Sequence, residues 1–122
     1  MNQLNNINGF HPWTSIKLLN GDYIFMKDLE IGNILSDGSI ILSIKQIPNT
    51  LKQTFYTIKN IEHNGENIFV TDLLKVFDLI QKKFVYVKEY NKSGPTIITY
   101  NTIVIIKTDT EYIKIGHEIF SI

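Results

Sequence analysis

The sequence predicts an all-β domain, and three observations carry the prediction. Val, Ile, Thr, Tyr and Phe crowd the apolar positions, as half-buried pleated strands require. Helix-period patterns are scarce. Asn-Gly and Asp-Gly steps recur at short intervals, and each is the signature of a tight turn between two strands. The 122 residues make one domain long enough to bury roughly two-thirds of its unfolded surface, and 43% hydrophobic with 20% charged residues is globular composition.

Taken in order, positions 1 to 8 form a polar, Asn-rich leader with no apolar h-region, so a secretion signal is not expected. The remaining 9–122 form one continuous domain. Asn20-Gly21 separates Ser15–Leu19 from Asp22–Phe25, Asp37-Gly38 separates Asn33–Leu35 from Ser39–Ile47, and Asn64-Gly65 separates Thr54–Ile61 from Asn67–Thr71. Three hairpins follow. Thr71–Ile80 reads either as a helix, with Leu73, Leu74, Phe77 and Ile80 near one face, or as a strand that turns at Leu79–Lys82. In Lys82–Glu89, Phe84 and Tyr86 alternate with Val85 and Val87, which predicts a central strand packed on both sides. Asn91 to Pro95 is a loop with a mobile tip. Thr96–Ile106 is too β-branched for a helix. Glu111–Ile115 and Glu118–Ile122, joined through Gly116-His117, form a last hairpin that ends in an open edge.

Composition excludes several functions. There is no Cys, hence no thiol nucleophile, disulfide or thiolate metal site. Twelve cations balance twelve acids, and every cation is Lys. Without a basic excess or Arg forks, neither nucleic acid nor an anionic membrane is an expected partner. No apolar run is long enough to span a bilayer. Ala is absent while Ile, Lys and Asn dominate, which reads as translation from an AT-rich genome and is compatible with a viral or protist source.

Phe10-His11-Pro12-Trp13-Thr14-Ser15-Ile16-Lys17-Leu18, then Asn20-Gly21, then Met26-Lys27-Asp28-Leu29-Glu30-Ile31-Gly32-Asn33-Ile34-Leu35 resemble the opening of a Hint domain, the hedgehog/intein autoprocessing family. That opening is a nucleophile, Phe, three variable residues, Thr, a strand, a Gly turn and a Leu-x-x-Gly-Asp-x-Leu step. The likeness continues through Asn67–Thr71 and Phe84–Val87 to Tyr112–Gly116, so it spans about Gly9 to Ile119. The resemblance implies a compact all-β fold of long hairpins with an internal pseudo-twofold. An unrelated small barrel or sandwich with the same hairpin spacing is the alternative.

Family chemistry is attack by a first-residue Cys, Ser or Thr on the preceding carbonyl, with a Thr-x-x-His motif holding the scissile amide and an Asp-His pair near the last strands. The resemblance puts Gly9 at the nucleophile position, where there is no side chain to attack with. Thr71 keeps the Thr of Thr-x-x-His, while Leu74 replaces the His and can neither donate a hydrogen bond nor shuttle a proton. Thr110 and Glu111 occupy the Asp-His positions. No terminal His-Asn follows Ile122 in the sequence, so the Asn-cyclisation step of splicing members is not expected either.

The implied protein is therefore an inactive Hint-family domain, kept as a structural or interaction module, with a flanking polypeptide or another protein as partner and no cofactor or metal. The alternative is an active self-cleaving element with a nonstandard nucleophile. His11, before Pro12, reads as an exposed loop imidazole, and His63 as a polar turn residue. His117 could approach Glu111 or Glu118, but three scattered His make a metal site improbable. Thr14 and Ser15 lie past the splice point, and the pairs Asp22/Asp28 and Asp72/Asp78 read as surface carboxylates rather than acid/base dyads. Trp13, Phe55 and Tyr56 would mark a contact surface if exposed together, and core if buried.

Overall fold

Period-2 burial organises most of the chain. In the computed structural model, which describes residues 7–94 and 98–122, eleven strands are joined by turns: β1 Ser15–Lys17, β2 Tyr23–Phe25, β3 Ile41–Pro48, β4 Phe55–Asn60, β5 Glu66–Thr71, β6 Lys75–Asp78, β7 Lys83–Tyr86, β8 Ser93–Gly94, β9 Thr102–Thr108, β10 Tyr112–Ile115 and β11 Glu118–Ser121. Single 3₁₀ turns at Met26–Asp28, Ile61–His63 and Val87–Glu89 interrupt them. All pairings are antiparallel, in four sheets ordered β1-β2, β10-β11-β6-β7, β3-β9 and β5-β4-β8. The all-β prediction holds.

Three of the expected hairpins form, the last of them β10 with β11 joined through Gly116-His117. β1 pairs with β2 across Asn20-Gly21, and β4 with β5 across the Asn64-Gly65 region. The second turn is longer than two residues: Ile61–His63 winds first, Asn64 takes a left-handed φ of 52°, and the Gly65 N–H donates to the Asn60 carbonyl. At Asp37-Gly38 the chain turns tightly, and its two arms are joined by the bridge Ile34↔Ile40 and by the Gly32 N–H donating to the Ile41 carbonyl at 2.8 Å. Beyond it Ile41–Pro48 leaves to pair with β9 over its full length, the longest ladder in the molecule.

The segment 71–80 is the strand alternative, not a helix: it ends β5, turns at Asp72–Leu74 and becomes β6. Two expectations are corrected. β7 is the edge of its sheet rather than its centre, because only Val85 and Val87 face inward while Tyr86 is exposed and Phe84 half-buried. One buried face suits an edge strand, and Lys83 at its start resists further pairing. β11 is not an open edge; it lies between β10 and β6, where Phe120 opposes Val76 with both side chains wholly buried. Part of the expected 96–106 strand and Pro95 fall outside the described residues; the strand that is seen starts at Thr102.

An internal pseudo-twofold relates the two halves. Thr14 N–H donates to the His11 carbonyl as Leu74 N–H does to Thr71; Met26 N–H donates to the Thr14 carbonyl as Val87 N–H does to Leu74; Leu29 N–H donates to Met26 as Tyr90 N–H does to Val87. His11 N–H donates to the Phe69 carbonyl while Thr71 N–H donates to that of Gly9. β3 and β9 exchange under the same operation and pair with each other. Phe10 sits near the axis, bridged to both Val70 and Val104 and set edge-on to Phe120 at 5.2 Å. Around it Ile16, Met26, Ile68, Val76 and Ile113 close a single core.

Candidate functional site

The chain near residue 9 is clamped between the two halves. Phe10 exchanges both backbone hydrogen bonds with Val104, each 2.9 Å, and Thr71 N–H donates to the Gly9 carbonyl at 3.0 Å. The Gly9 N–H donates to Thr71 Oγ1 at 3.0 Å, and the Thr71 hydroxyl donates to Asn8 Oδ1 at 3.0 Å. Thr71 is wholly buried. It grips the amide between Asn8 and Gly9, the bond the resemblance marks as scissile, because β5 delivers it there with its side chain turned to the passing strand.

Beside this clamp lies a half-open cleft of about 290 Å³. Asn8, Gly9, Leu74, Lys107, Ser121 and Ile122 are among its walls. Gly9, Thr71 and Leu74 are therefore brought together. Thr110 and Glu111 are not among the lining residues. Thr110 Oγ1 lies 3.2 Å from both Ser39 Oγ and Thr108 Oγ1 and donates to the Tyr112 carbonyl. Glu111 is exposed at the β9–β10 turn with φ of 66°, and its carbonyl accepts the N–H of Ile122, a residue that lines the cleft.

Gly9 is needed for space. A Cβ there would run into the Val104 carbonyl oxygen and stand 2.9 Å from Ile103 Cγ2. The obstacle is ladder backbone, which a rotamer change cannot remove. Leu74 is nearly buried and offers the cleft only methyl groups.

The structure corrects the reading of His11. It is 8% exposed, and its ring packs on Phe55, Phe69 and Tyr100 with centroids 5.1, 5.5 and 4.4 Å away. Nδ1 accepts the Trp13 N–H at 3.0 Å. Burial lowers its pKa below the ordinary 6.5. By the pseudo-twofold, His11-x-x-Thr14 is the counterpart of Thr71-x-x-Leu74: Thr14 Oγ1 accepts the Phe69 N–H and donates to the Phe69 carbonyl, both at 3.2 Å. The signal that could have exposed this pairing is in the sequence, where Tyr23-Ile24-Phe25-Met26-Lys27-Asp28-Leu29 echoes Phe84-Val85-Tyr86-Val87-Lys88-Glu89-Tyr90.

The other candidates are dispersed. His63 stacks on Tyr23 at 3.6 Å and pairs with Glu66 at 3.0 Å. His117 Nδ1 lies 3.8 Å from a Glu62 carboxylate oxygen. Glu118 accepts the buried Tyr90 hydroxyl at 2.7 Å. Asp22 joins Asn20, Asp28 joins Lys27, and Asp78 accepts from Ile80 and Gln81. No cluster of three potential metal ligands occurs among the described residues, nor any helix long and apolar enough to cross a membrane. Phe55 is core, whereas Trp13 is 53% exposed and packs on Phe25 at 5.4 Å with the Lys27 ammonium over its ring.

The all-β, twofold arrangement of hairpins is a Hint-type fold, the fold of inteins. Among solved structures the chain is similar to the gp41-1 intein, with a TM-score of 0.66 over 96% of this chain and 100% of that one, at 8% sequence identity. No protein-family model matches the sequence, and no curated protein matches it.

Proposed function

We propose that this is a Hint-fold domain without autoprocessing activity, serving as a structural or protein-interaction module for the polypeptide to which it is joined. The observation that carries the reading is the closure of position 9: the residue is glycine, and the Val104 carbonyl fills the space a nucleophilic side chain would need. Leu74 supports it, since an isobutyl group cannot polarise the amide that Thr71 holds. Interaction would use the exposed Trp13–Phe25 pair, a rigid amphipathic surface of the kind that anchors protein contacts.

One observation favours a second reading, in which the element is active. Among the described residues lining the cleft, Ser121 is the only one with a side-chain hydroxyl, and attack by its Oγ on the Asn8 carbonyl carbon, breaking the Asn8–Gly9 C–N bond as the hydroxyl proton passes to the Gly9 nitrogen, would give an ester without any side chain at residue 9. A tagged N-terminal extension fused to the chain and incubated with hydroxylamine or thiol separates the two. The inactive reading predicts no release of the tag from either the parent or Ser121→Ala. Release from the parent that Ser121→Ala abolishes would replace it with the second.

A further inference from the structure

Three Asn-Gly steps occur in the chain, and they differ in what holds the glycine nitrogen. Gly21 N–H donates to the Leu18 carbonyl at 3.0 Å and Gly65 N–H to the Asn60 carbonyl at 2.9 Å. The Asn20 side chain is also tied down, accepting from Asp22 N–H at 2.9 Å and donating to the Asp22 carboxylate at 3.2 Å. At Asn8-Gly9 the partner is a hydroxyl. Thr71 Oγ1 accepts the Gly9 N–H and donates to Asn8 Oδ1, both at 3.0 Å, so one group bridges the backbone nitrogen and the side-chain carbonyl of the same step.

That difference matters chemically. A carbonyl oxygen can only hold a proton donor, whereas a hydroxyl can accept one proton while surrendering its own. Glycine after asparagine also leaves the approach of its nitrogen to the side-chain carbonyl carbon uncrowded, because there is no Cβ.

We propose that Asn8 is a self-modification site, converted through a cyclic imide to aspartate and isoaspartate with Thr71 as proton relay. The Gly9 nitrogen bonds to Asn8 Cγ; its proton passes to Thr71 Oγ1 as the Thr71 proton passes to Asn8 Oδ1, leaving a tetrahedral carbon. Collapse restores the C=O, breaks the Cγ–Nδ2 bond and sends the Oδ1 proton out with Nδ2 as ammonia. Water from the half-open cleft then adds to either imide carbonyl, opening the ring to aspartate or isoaspartate. The main chain stays whole. Neither a side chain at residue 9 nor an imidazole at residue 74 is needed, and the new carboxylate arises in a cleft that Lys75 and Lys107 also line.

The test is site-resolved mass spectrometry of the full chain ageing at neutral pH, with isoaspartate assigned by fragmentation. Conversion at Asn8 should outrun that at Asn20 and Asn64 in the parent. Thr71→Val should slow Asn8 by at least about tenfold, below the usual span for a positioned proton-transfer group because the relay is neutral, while Thr71→Ser keeps the parent rate. Unchanged rates at Asn20 and Asn64 report that the variants stay folded; should Thr71→Val unfold, the ranking of the three sites in the parent decides alone. Asn8 converting no faster than the other two, or equally fast in a folded Thr71→Val, overturns the proposal. So does a chain break after Asn8 that leaves a terminal imide, since that requires attack by Nδ2 instead of the Gly9 nitrogen.

Discussion

Gly9 and His11 flank Phe10 and show how differently neighbouring residues are constrained. At residue 9 the strand pairing leaves no volume for a Cβ, so Gly9→Ala should lower stability by about 1–3 kcal/mol, the usual cost of overpacking, read as an earlier urea midpoint. Burial lowers the pKa of His11. Its folded pKa lies below the unfolded 6.5, so as pH falls through that window the unfolded chain takes up a proton that the folded chain does not. Stability should therefore decline below about pH 6.5, and His11→Gln should flatten that part of the urea midpoint against pH curve. Thr71 and Leu74 were legible in the sequence because a motif spacing fixes them on one turn. The burial of His11 was not, since a residue before Pro12 looks like loop until β4, β5 and Tyr100 close over it.

Among the elements, local turns could be read and distant pairings could not. Asn20-Gly21 and Asn64-Gly65 announce their hairpins because left-handed backbone is needed there and few residues tolerate it. Nothing near β7 or β11 says which strands will flank them, and the β3–β9 ladder joins segments from opposite halves of the chain. The β10–β11 turn is a case where the constraint is nonlocal. Gly116 has φ of 59°, and a Cβ there would strike the Asn60 side chain at the end of β4. Gly116→Ala should cost about 1–3 kcal/mol through strain and crowding together. At the other end of β10, Glu111 holds φ of 66° without the glycine that conformation favours and with an exposed side chain. Glu111→Gly should then be neutral or stabilising by up to about 1 kcal/mol, measured by thermal unfolding; a clear loss would give its carboxylate a role the geometry does not.

For the whole molecule, the twofold makes the core continuous across both halves, with Phe10 touching each. Phe10→Ala should remove about 3–5 kcal/mol, as large-to-small changes at filled aromatic sites do, and the halves should lose structure in one transition when followed by both circular dichroism and Trp13 fluorescence. Thr71 holds the Asn8–Gly9 amide while the strand pairing leaves no room for a side chain at residue 9. An intact-mass time course of the chain behind an N-terminal extension tests this most directly. Full-length protein should persist throughout, its mass rising only by amide-to-acid conversion, fastest at Asn8. Accumulation of a fragment beginning at Gly9 would contradict it.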